Sequence, residues 1–115
     1  MSDRNVKENF KPVNARAVLE KVSHLPVTEW NLLSQRADIR HIGPMAQDFH
    51  AAFGVGEDDR HISTTDADGV ALAAIQGLNE IVKEKDARIQ TLEKDVADLK
   101  AMVSTLLQKS NGGAQ

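Results

Sequence analysis

The residue pair best suited to catalysis lies at the N-terminus, where Ser2 precedes Lys7 by five positions in the 115-residue chain. A lysine amine can act as the general base for a serine hydroxyl if the chain folds back to join them. A free lysine has a pKa near 10.4, so only about 0.04% of it is neutral at pH 7. Burial or a nearby positive charge, such as Arg4, would have to lower that pKa by about three units, at a cost of roughly 4 kcal/mol. By spacing alone, the pair fits a solvated charged arm equally well.

Other kinds of chemistry find little support in the composition. The chain has no cysteine, which excludes disulfides and thiolate metal sites. His24, His41, His50 and His61 lack the spacing of a metal site, so we expect packing or surface roles for them, and no metal or cofactor. The net charge is -3 with no clustered basic face, which argues against nucleic acid. The longest apolar stretch, Val70–Ile75, is too short to cross a bilayer. We expect neither a membrane nor a small-molecule substrate as a partner.

The segments that must position Ser2 and Lys7 fall into three zones. We predict an N-terminal arm and a globular head over residues 1–68, a long helix over 69–109, and a disordered tail over 110–115. The fold class is α+β and mainly helical, with short strands and helices in the head. Aromatic residues make up only 3% of the chain, and a small domain of this kind needs an additional source of stability. Without cysteine, oligomerisation is the source that remains.

Local signals predict the elements of the head. Asn14 is suited to cap a helix that ends before Pro26. A further helix is predicted over Pro44–Phe53, because proline suits a first turn and Gly54 suits a C-terminal cap.

Strands are predicted where apolar and polar residues alternate. Val27–Leu32 and Asp38–Gly43 both show this alternation and are suited to pair with each other. His61–Thr64 is predicted as a third short strand.

The strongest pattern lies in the third zone, where apolar residues recur every seven positions and proline is absent. Two apolar series match the a and d positions of a coiled coil over about five heptads, with one polar break at Lys85. We predict that these residues form the interface of a parallel coiled coil. The predicted interface residues are Ile75, Leu78, Val82, Ile89, Leu92, Val96, Leu99, Val103 and Leu106.

Charges beside this seam favour parallel association of identical chains. In an aligned parallel coiled coil, a g residue faces the e residue of the next heptad on its neighbour, so Arg88 faces Glu93 and Asp95 faces Lys100. Each exposed pair contributes only about 0.2–1 kcal/mol, but both are attractive. The heptad pattern by itself leaves dimer and trimer open, and a single helix packed on its own domain is the alternative.

Three blocks of this sequence resemble the intramolecular chaperone domain of phage endosialidases, tail spikes and tail fibres. Ser2–Asn9 is similar to the family's opening motif of Ser-Asp, an arginine, and then Lys-Glu-Asn. His41–Phe49 resembles its second block, although Pro44 and Met45 replace the usual apolar pair. Asp68–Leu72 leads into a long helix, as the third block does. The resemblance covers residues 2–107.

This resemblance implies a self-releasing chaperone. Such a domain forms the C-terminal part of a fibre or spike precursor, trimerises, helps an upstream β-rich stalk to fold in register, and is then shed. Release uses a Ser–Lys dyad that maps onto Ser2 and Lys7, with the cut next to Ser2 and the bond after it favoured. The domain would act as a single-turnover serine peptidase in the cytoplasm of a bacterial host during virion or fibre assembly. Its partners would be two further copies and its own upstream stalk.

Other interpretations stay open beside this one. A non-cleaving oligomerisation module of a fibre or adhesin would have the same fold. An unrelated coiled-coil scaffold with a small head would also fit the heptads. A multiple-turnover hydrolase would need a catalytic pocket, for which the sequence offers no set of residues.

Overall fold

The computed structural model describes residues 1–113, and it is mainly helical, with a long C-terminal helix and a small two-stranded sheet. The prediction of a mainly helical chain with short strands in the head is confirmed. Within the described residues, no helix combines the length and hydrophobicity needed to cross a membrane. The elements are a 3-10 helix Arg4–Val6, α1 Ala15–His24, β1 Thr28–Trp30, β2 His41–Gly43, α2 Ala46–Phe53 and α3 Thr64–Gly113.

The chain divides into two compact units, Met1–Asn79 and Glu80–Gln115. The first unit contains the arm, α1, the hairpin, α2 and the first turns of α3. The second unit contains the remainder of α3.

Helix α1 begins where its capping residue predicts. The Asn14 side chain accepts a hydrogen bond from the backbone N–H of Ala17 at 3.1 Å, which satisfies one of the free amides of the first turn. The predicted N-cap is therefore confirmed. The half-buried residues of the helix recur at helical spacing and face the rest of the unit. These residues are Ala15, Val18, Leu19 and Val22.

The two predicted strands pair in antiparallel fashion but are shorter than the alternating segments. Trp30 lies opposite His41, their rings are 5.2 Å apart, and the Trp30 indole N–H donates to the Gly43 carbonyl at 3.2 Å. The second strand begins only at His41, because Arg36 and Asp38 form a side-chain pair in a turn that also bonds Ile39 N–H to the Arg36 carbonyl at 3.0 Å. Because of that turn, the residues before His41 do not pair with β1.

Helix α2 starts two residues after Pro44, since Met45 has an extended backbone and serves as the N-cap. The predicted glycine cap is confirmed at the other end: Gly54 has a φ of 62° and donates its N–H to the His50 carbonyl at 2.8 Å. Phe49 is the most buried large side chain in the described residues, at 4% exposure, and its ring lies 4.9 Å from that of Phe53.

Two predictions at the ends of α3 are wrong. His61–Thr64 is not a strand, because Ser63 caps α3 instead: its hydroxyl accepts from the Asp66 N–H at 3.1 Å and its carbonyl accepts from the Ala67 N–H at 3.0 Å. At the other end, residues 110–113 are helical rather than disordered. No proline after Lys109 interrupts the backbone hydrogen bonds of the helix there. The rest of the predicted tail, Ala114 and Gln115, lies outside the described residues.

One residue in the N-terminal part of α3 approaches the backbone at the start of α1 closely. Ala74 is 6% exposed and Gly77 is buried. A methyl group at Gly77 would lie 2.8 Å from the carbonyl carbon of Ala15, so only glycine allows this approach. The neighbouring face, which carries Ile75 and Leu78, stays exposed.

Candidate active site and assembly surface

The N-terminal arm is organised by one capped turn. The Asp3 carboxylate accepts from the Asn5 N–H at 2.9 Å, and the Asp3 carbonyl accepts from the Val6 N–H at 3.2 Å. The Lys7 N–H then donates to the Arg4 carbonyl at 3.4 Å, and the backbone leaves the turn in an extended conformation at Lys7. This turn reverses the chain direction between the two ends of the segment that contains the predicted dyad.

The reversal joins the two predicted catalytic residues. The Lys7 ammonium donates a hydrogen bond to Ser2 Oγ across 2.6 Å, which is within the range expected of a nucleophile and its base. Sequence spacing suggested that the two side chains meet if the chain folds back, and the structure brings them together in that way. Their catalytic role stays a prediction.

In the isolated chain this pair is open to solvent. Ser2, Lys7 and every other residue of the segment 1–13 are exposed. A solvated lysine amine is protonated at neutral pH and donates hydrogen bonds, whereas a general base must accept the proton of the hydroxyl. The geometry therefore supplies proximity, and a second element has to exclude water before the pair can perform proton transfer.

Beyond the pair, Asn9 adopts a left-handed conformation with a φ of 56°. Asparagine is among the few non-glycine residues that tolerate this region, because its short side chain can bond locally. Asn9 thus sets the direction in which the chain leaves the Ser2–Lys7 segment toward α1.

The four histidines all have local partners. His24 Nδ1 lies 2.9 Å from the Glu20 carbonyl, His41 Nε2 lies 2.9 Å from Gln35 Oε1, and His50 Nδ1 lies 3.3 Å from the Val55 carbonyl. His61 Nδ1 lies 3.0 Å from an oxygen of Asp58. Each contact is close in sequence, so these rings stabilise turns and helix ends. Among residues 1–113, no three histidine, aspartate or glutamate side chains cluster to bind a metal.

The predicted assembly residues form an exposed apolar stripe along α3. All nine residues of the a and d series are at least half exposed or nearly so, from Val96 at 49% to Leu106 at 65%. A monomeric protein rarely leaves a contiguous apolar stripe of this kind uncovered. In the second unit, a shallow groove lined by Ile89, Leu92 and Val96 is bordered by Glu93 and Lys100, two of the charged residues predicted to pair between chains.

Comparison with known families gives a match for the arm and most of the head. Residues 2–55 match a family described as the chaperone of endosialidase, whose name also classes it as a peptidase. This segment includes the Ser2–Lys7 pair, α1, the hairpin and α2. Searches of the curated proteins and of the solved structures found no significant match.

The family resemblance recognised in the sequence is thereby confirmed, because residues 2–55 match the chaperone-of-endosialidase family. That family supports a chaperone role for the protein. The match is narrower than the resemblance inferred from the three sequence blocks: it includes Ser2–Asn9 and His41–Phe49 but ends before Asp68–Leu72. The long helix therefore rests on its own heptad pattern and exposure.

Two functional features escaped the sequence analysis. Asp3 caps the turn that brings Ser2 and Lys7 together, and an aspartate two residues before an asparagine in a polar arm was the available signal. Gly77 allows α1 to approach α3 closely, and no local signal distinguishes it from Gly69 earlier in the same helix.

Proposed function

We propose that this protein is a C-terminal intramolecular chaperone that trimerises through α3, aligns an upstream β-rich fibre or spike stalk, and then releases itself by cutting its own chain next to Ser2. The observation that carries the proposal is the 2.6 Å hydrogen bond between Lys7 Nζ and Ser2 Oγ, inside the segment that matches the chaperone family. The exposed apolar stripe of α3 supports the assembly step.

The cut would proceed as a serine peptidase reaction. A neutral Lys7 amine takes the proton of the Ser2 hydroxyl while Oγ attacks the scissile carbonyl carbon beside Ser2. The tetrahedral intermediate collapses, the Lys7 ammonium protonates the departing amine, and an ester remains. One water then hydrolyses the ester and restores the serine. The net reaction consumes one water for each peptide bond that is cut.

Assembly would switch this reaction on. Ser2 and Lys7 are exposed in the isolated chain. Burial of a lysine side chain, here against neighbouring copies or the stalk, favours its neutral amine. Cleavage would then follow correct assembly and report on it. A monomer that cleaves at the wild-type rate contradicts this coupling.

The chaperone step has a physical purpose. Parallel β-rich trimers form slowly, because three chains must align before their non-local contacts contribute any stability. A coiled coil forms from local contacts and fixes the number and alignment of the chains. Removal of the aligning domain leaves the folded stalk kinetically trapped. The bacterial host cytoplasm during virion or fibre assembly is the proposed setting.

The test is the size of the precursor, expressed with its upstream segment, in wild type, Ser2→Ala and Lys7→Ala. Lys11→Ala, a change of the same type in the same exposed arm, is the control. We expect wild type and Lys11→Ala to release a fragment of about the present length, and both dyad variants to stay whole and still trimeric. Cleavage of Ser2→Ala would refute the proposed nucleophile.

One observation favours a second candidate. Because Ser2 and Lys7 are both exposed, the domain can equally act as a non-cleaving oligomerisation module of a fibre or adhesin. That function predicts that wild-type precursor assembles and stays whole.

A further inference from the structure

One charged residue interrupts the apolar seam of α3. Lys85 occupies a d position between Leu78 and Leu92, and every other a and d residue from Ile75 to Leu106 is apolar. Its side chain is exposed in the isolated chain. Because a buried charge without a partner is costly, an assembly formed through this seam has to offer the ammonium group an acceptor.

Asp86 is placed to be that acceptor on a neighbouring copy. It occupies the e position, which flanks the d position along the seam of a parallel coiled coil. Asp86 is exposed, and within its own chain Oδ2 accepts from Gln90 Nε2 at 3.3 Å. An ionised carboxylate has about four acceptor positions, so further lone pairs are available to an ammonium group from a second copy.

We propose that Lys85 fixes the axial register of a parallel assembly of identical chains, by pairing with Asp86 of the neighbouring copy. This inference rests on the self-association proposed above and adds the residue that selects one alignment.

Register selection follows from the layer that each lysine meets. With the chains aligned, all copies of Lys85 share one layer, and each lies beside a neighbour's Asp86. A shift of one heptad leaves most layers apolar. Each leucine at a d position then faces another leucine, and each isoleucine or valine at an a position faces another isoleucine or valine. The same shift places Lys85 of one copy against Leu92, beside Glu93, but Lys85 of the other copy against Leu78, beside Asn79, where no carboxylate flanks it. The polar layer therefore opposes shifts that the apolar layers tolerate.

The flanking charges select the same alignment. In register, Arg88 faces Glu93 and Asp95 faces Lys100 of the neighbour, and both pairs attract. A shift of one heptad in one direction brings Arg88 to Lys100. A shift in the other direction brings Asp95 to Glu93. Either shift creates a like-charge pair, so the complementarity of a second, aligned copy extends beyond the Lys85 layer.

The chain has no cysteine, so single cysteines can report the register. Two full-length variants, Ile89→Cys and Val96→Cys, each carry one cysteine at an a position. The two variants are mixed and equilibrated in a glutathione buffer. Aligned chains yield only 89–89 and 96–96 disulfides, whereas a one-heptad shift yields the 89–96 disulfide. Intact-mass spectrometry distinguishes the three products.

We expect the 89–96 product to be at least about tenfold rarer than the aligned products in wild type, and to rise about threefold or more with Lys85→Leu. The same substitution removes a buried charge and is expected to raise the Tm by about 5 °C or more. Lys94→Leu makes the identical change at an outward f position and should leave the register unchanged. An 89–96 fraction that does not rise in Lys85→Leu overturns the inference.

A charge exchange provides a second test that does not depend on added hydrophobicity. Lys85→Asp gathers carboxylates in one layer and should abolish assembly at concentrations where wild type is associated. Addition of Asp86→Lys should restore it, and failure of this rescue contradicts the pair. A wild-type chain that stays monomeric overturns the proposed assembly itself. Wild type that assembles with mixed register overturns only the role of Lys85.

Discussion

Gly77 of α3 lies directly against the backbone of Ala15 at the start of α1. A Cβ atom at Gly77 would be 2.8 Å from the Ala15 carbonyl carbon and 3.1 Å from the Arg16 nitrogen. Both atoms belong to the backbone, which cannot rotate away as a flexible side chain can. This approach fixes which face of α3 the head covers, and it leaves Ile75 and Leu78 exposed.

Gly77→Ala is expected to destabilise the first unit. The added methyl group must displace α1, and overpacking of this kind costs about 1–3 kcal/mol. Gly69→Ala is the matched control, because it lies in the same helix with no atom within 4 Å of its Cβ position. That control should gain about 0.5–1 kcal/mol from helix propensity. Urea denaturation followed by circular dichroism measures both, and equal effects of the two substitutions would refute the close approach.

Lys7→Arg is expected to abolish cleavage while it keeps a positive hydrogen-bond donor near Ser2. A guanidinium group stays protonated in proteins and cannot accept the hydroxyl proton, so the rate should fall by about 100-fold or more. Precursor processing, followed over time on gels, measures the rate. Lys11→Arg controls for the change elsewhere in the arm. A Lys7→Arg variant that cuts normally would mean that Lys7 is not the base.

Leu99→Glu is expected to dissociate the assembly. A carboxylate from each chain would enter one apolar layer, and the association constant should fall by about 100-fold or more. Sedimentation equilibrium of the full chain measures this change. Ala101→Glu places the same side chain at an outward f position and should leave the oligomer intact. If both variants remain associated, the a and d stripe is not the interface.

Asn14→Ala is expected to lower stability by about 1 kcal/mol, because the Ala17 N–H loses its acceptor at the start of α1. Asn14→Asp keeps a capping oxygen and should retain most of the stability. Thermal unfolding of the two variants beside wild type provides the comparison, and equal losses would show that the cap is not the cause.

A pH dependence is expected from the loop before α3. The Asp58 carboxylate accepts from the Arg60 N–H at 2.9 Å and bonds the His61 side chain, and these contacts lower the pKa of Asp58 below 3.8. Because the folded-state pKa is depressed, the contribution to stability is present above the unfolded value and is lost as the pH falls through the folded value. Asp58→Asn should therefore flatten the stability profile below pH of about 4. Denaturation between pH 5 and pH of about 2.5 measures it, and an unchanged slope would contradict the assignment.

Local signals predicted the features that depend only on neighbouring residues. The Asn14 cap, the Gly54 cap and the meeting of Ser2 with Lys7 each involve residues within five positions of one another, where backbone geometry restricts the outcome. The strand predicted over His61–Thr64 is wrong, and its cause is also local. Ser63 caps α3, which outweighs the short alternation of apolar and polar residues. The strands of the hairpin were predicted to be longer than they are, because the Arg36–Asp38 turn competes with the hydrogen bonds between the strands.

By itself, the sequence determined the helical periodicity of α3, the caps of the head and the five-residue spacing of the Ser2–Lys7 pair. Only the tertiary structure decided which of two adjacent apolar faces of α3 the head covers. The two faces differ by one residue, Ala74 and Gly77 against Ile75 and Leu78, and both suit burial. The choice follows from distance: the backbone of α1 can approach only where side chains are small, and that contact joins residues about sixty positions apart, beyond the range of any local pattern.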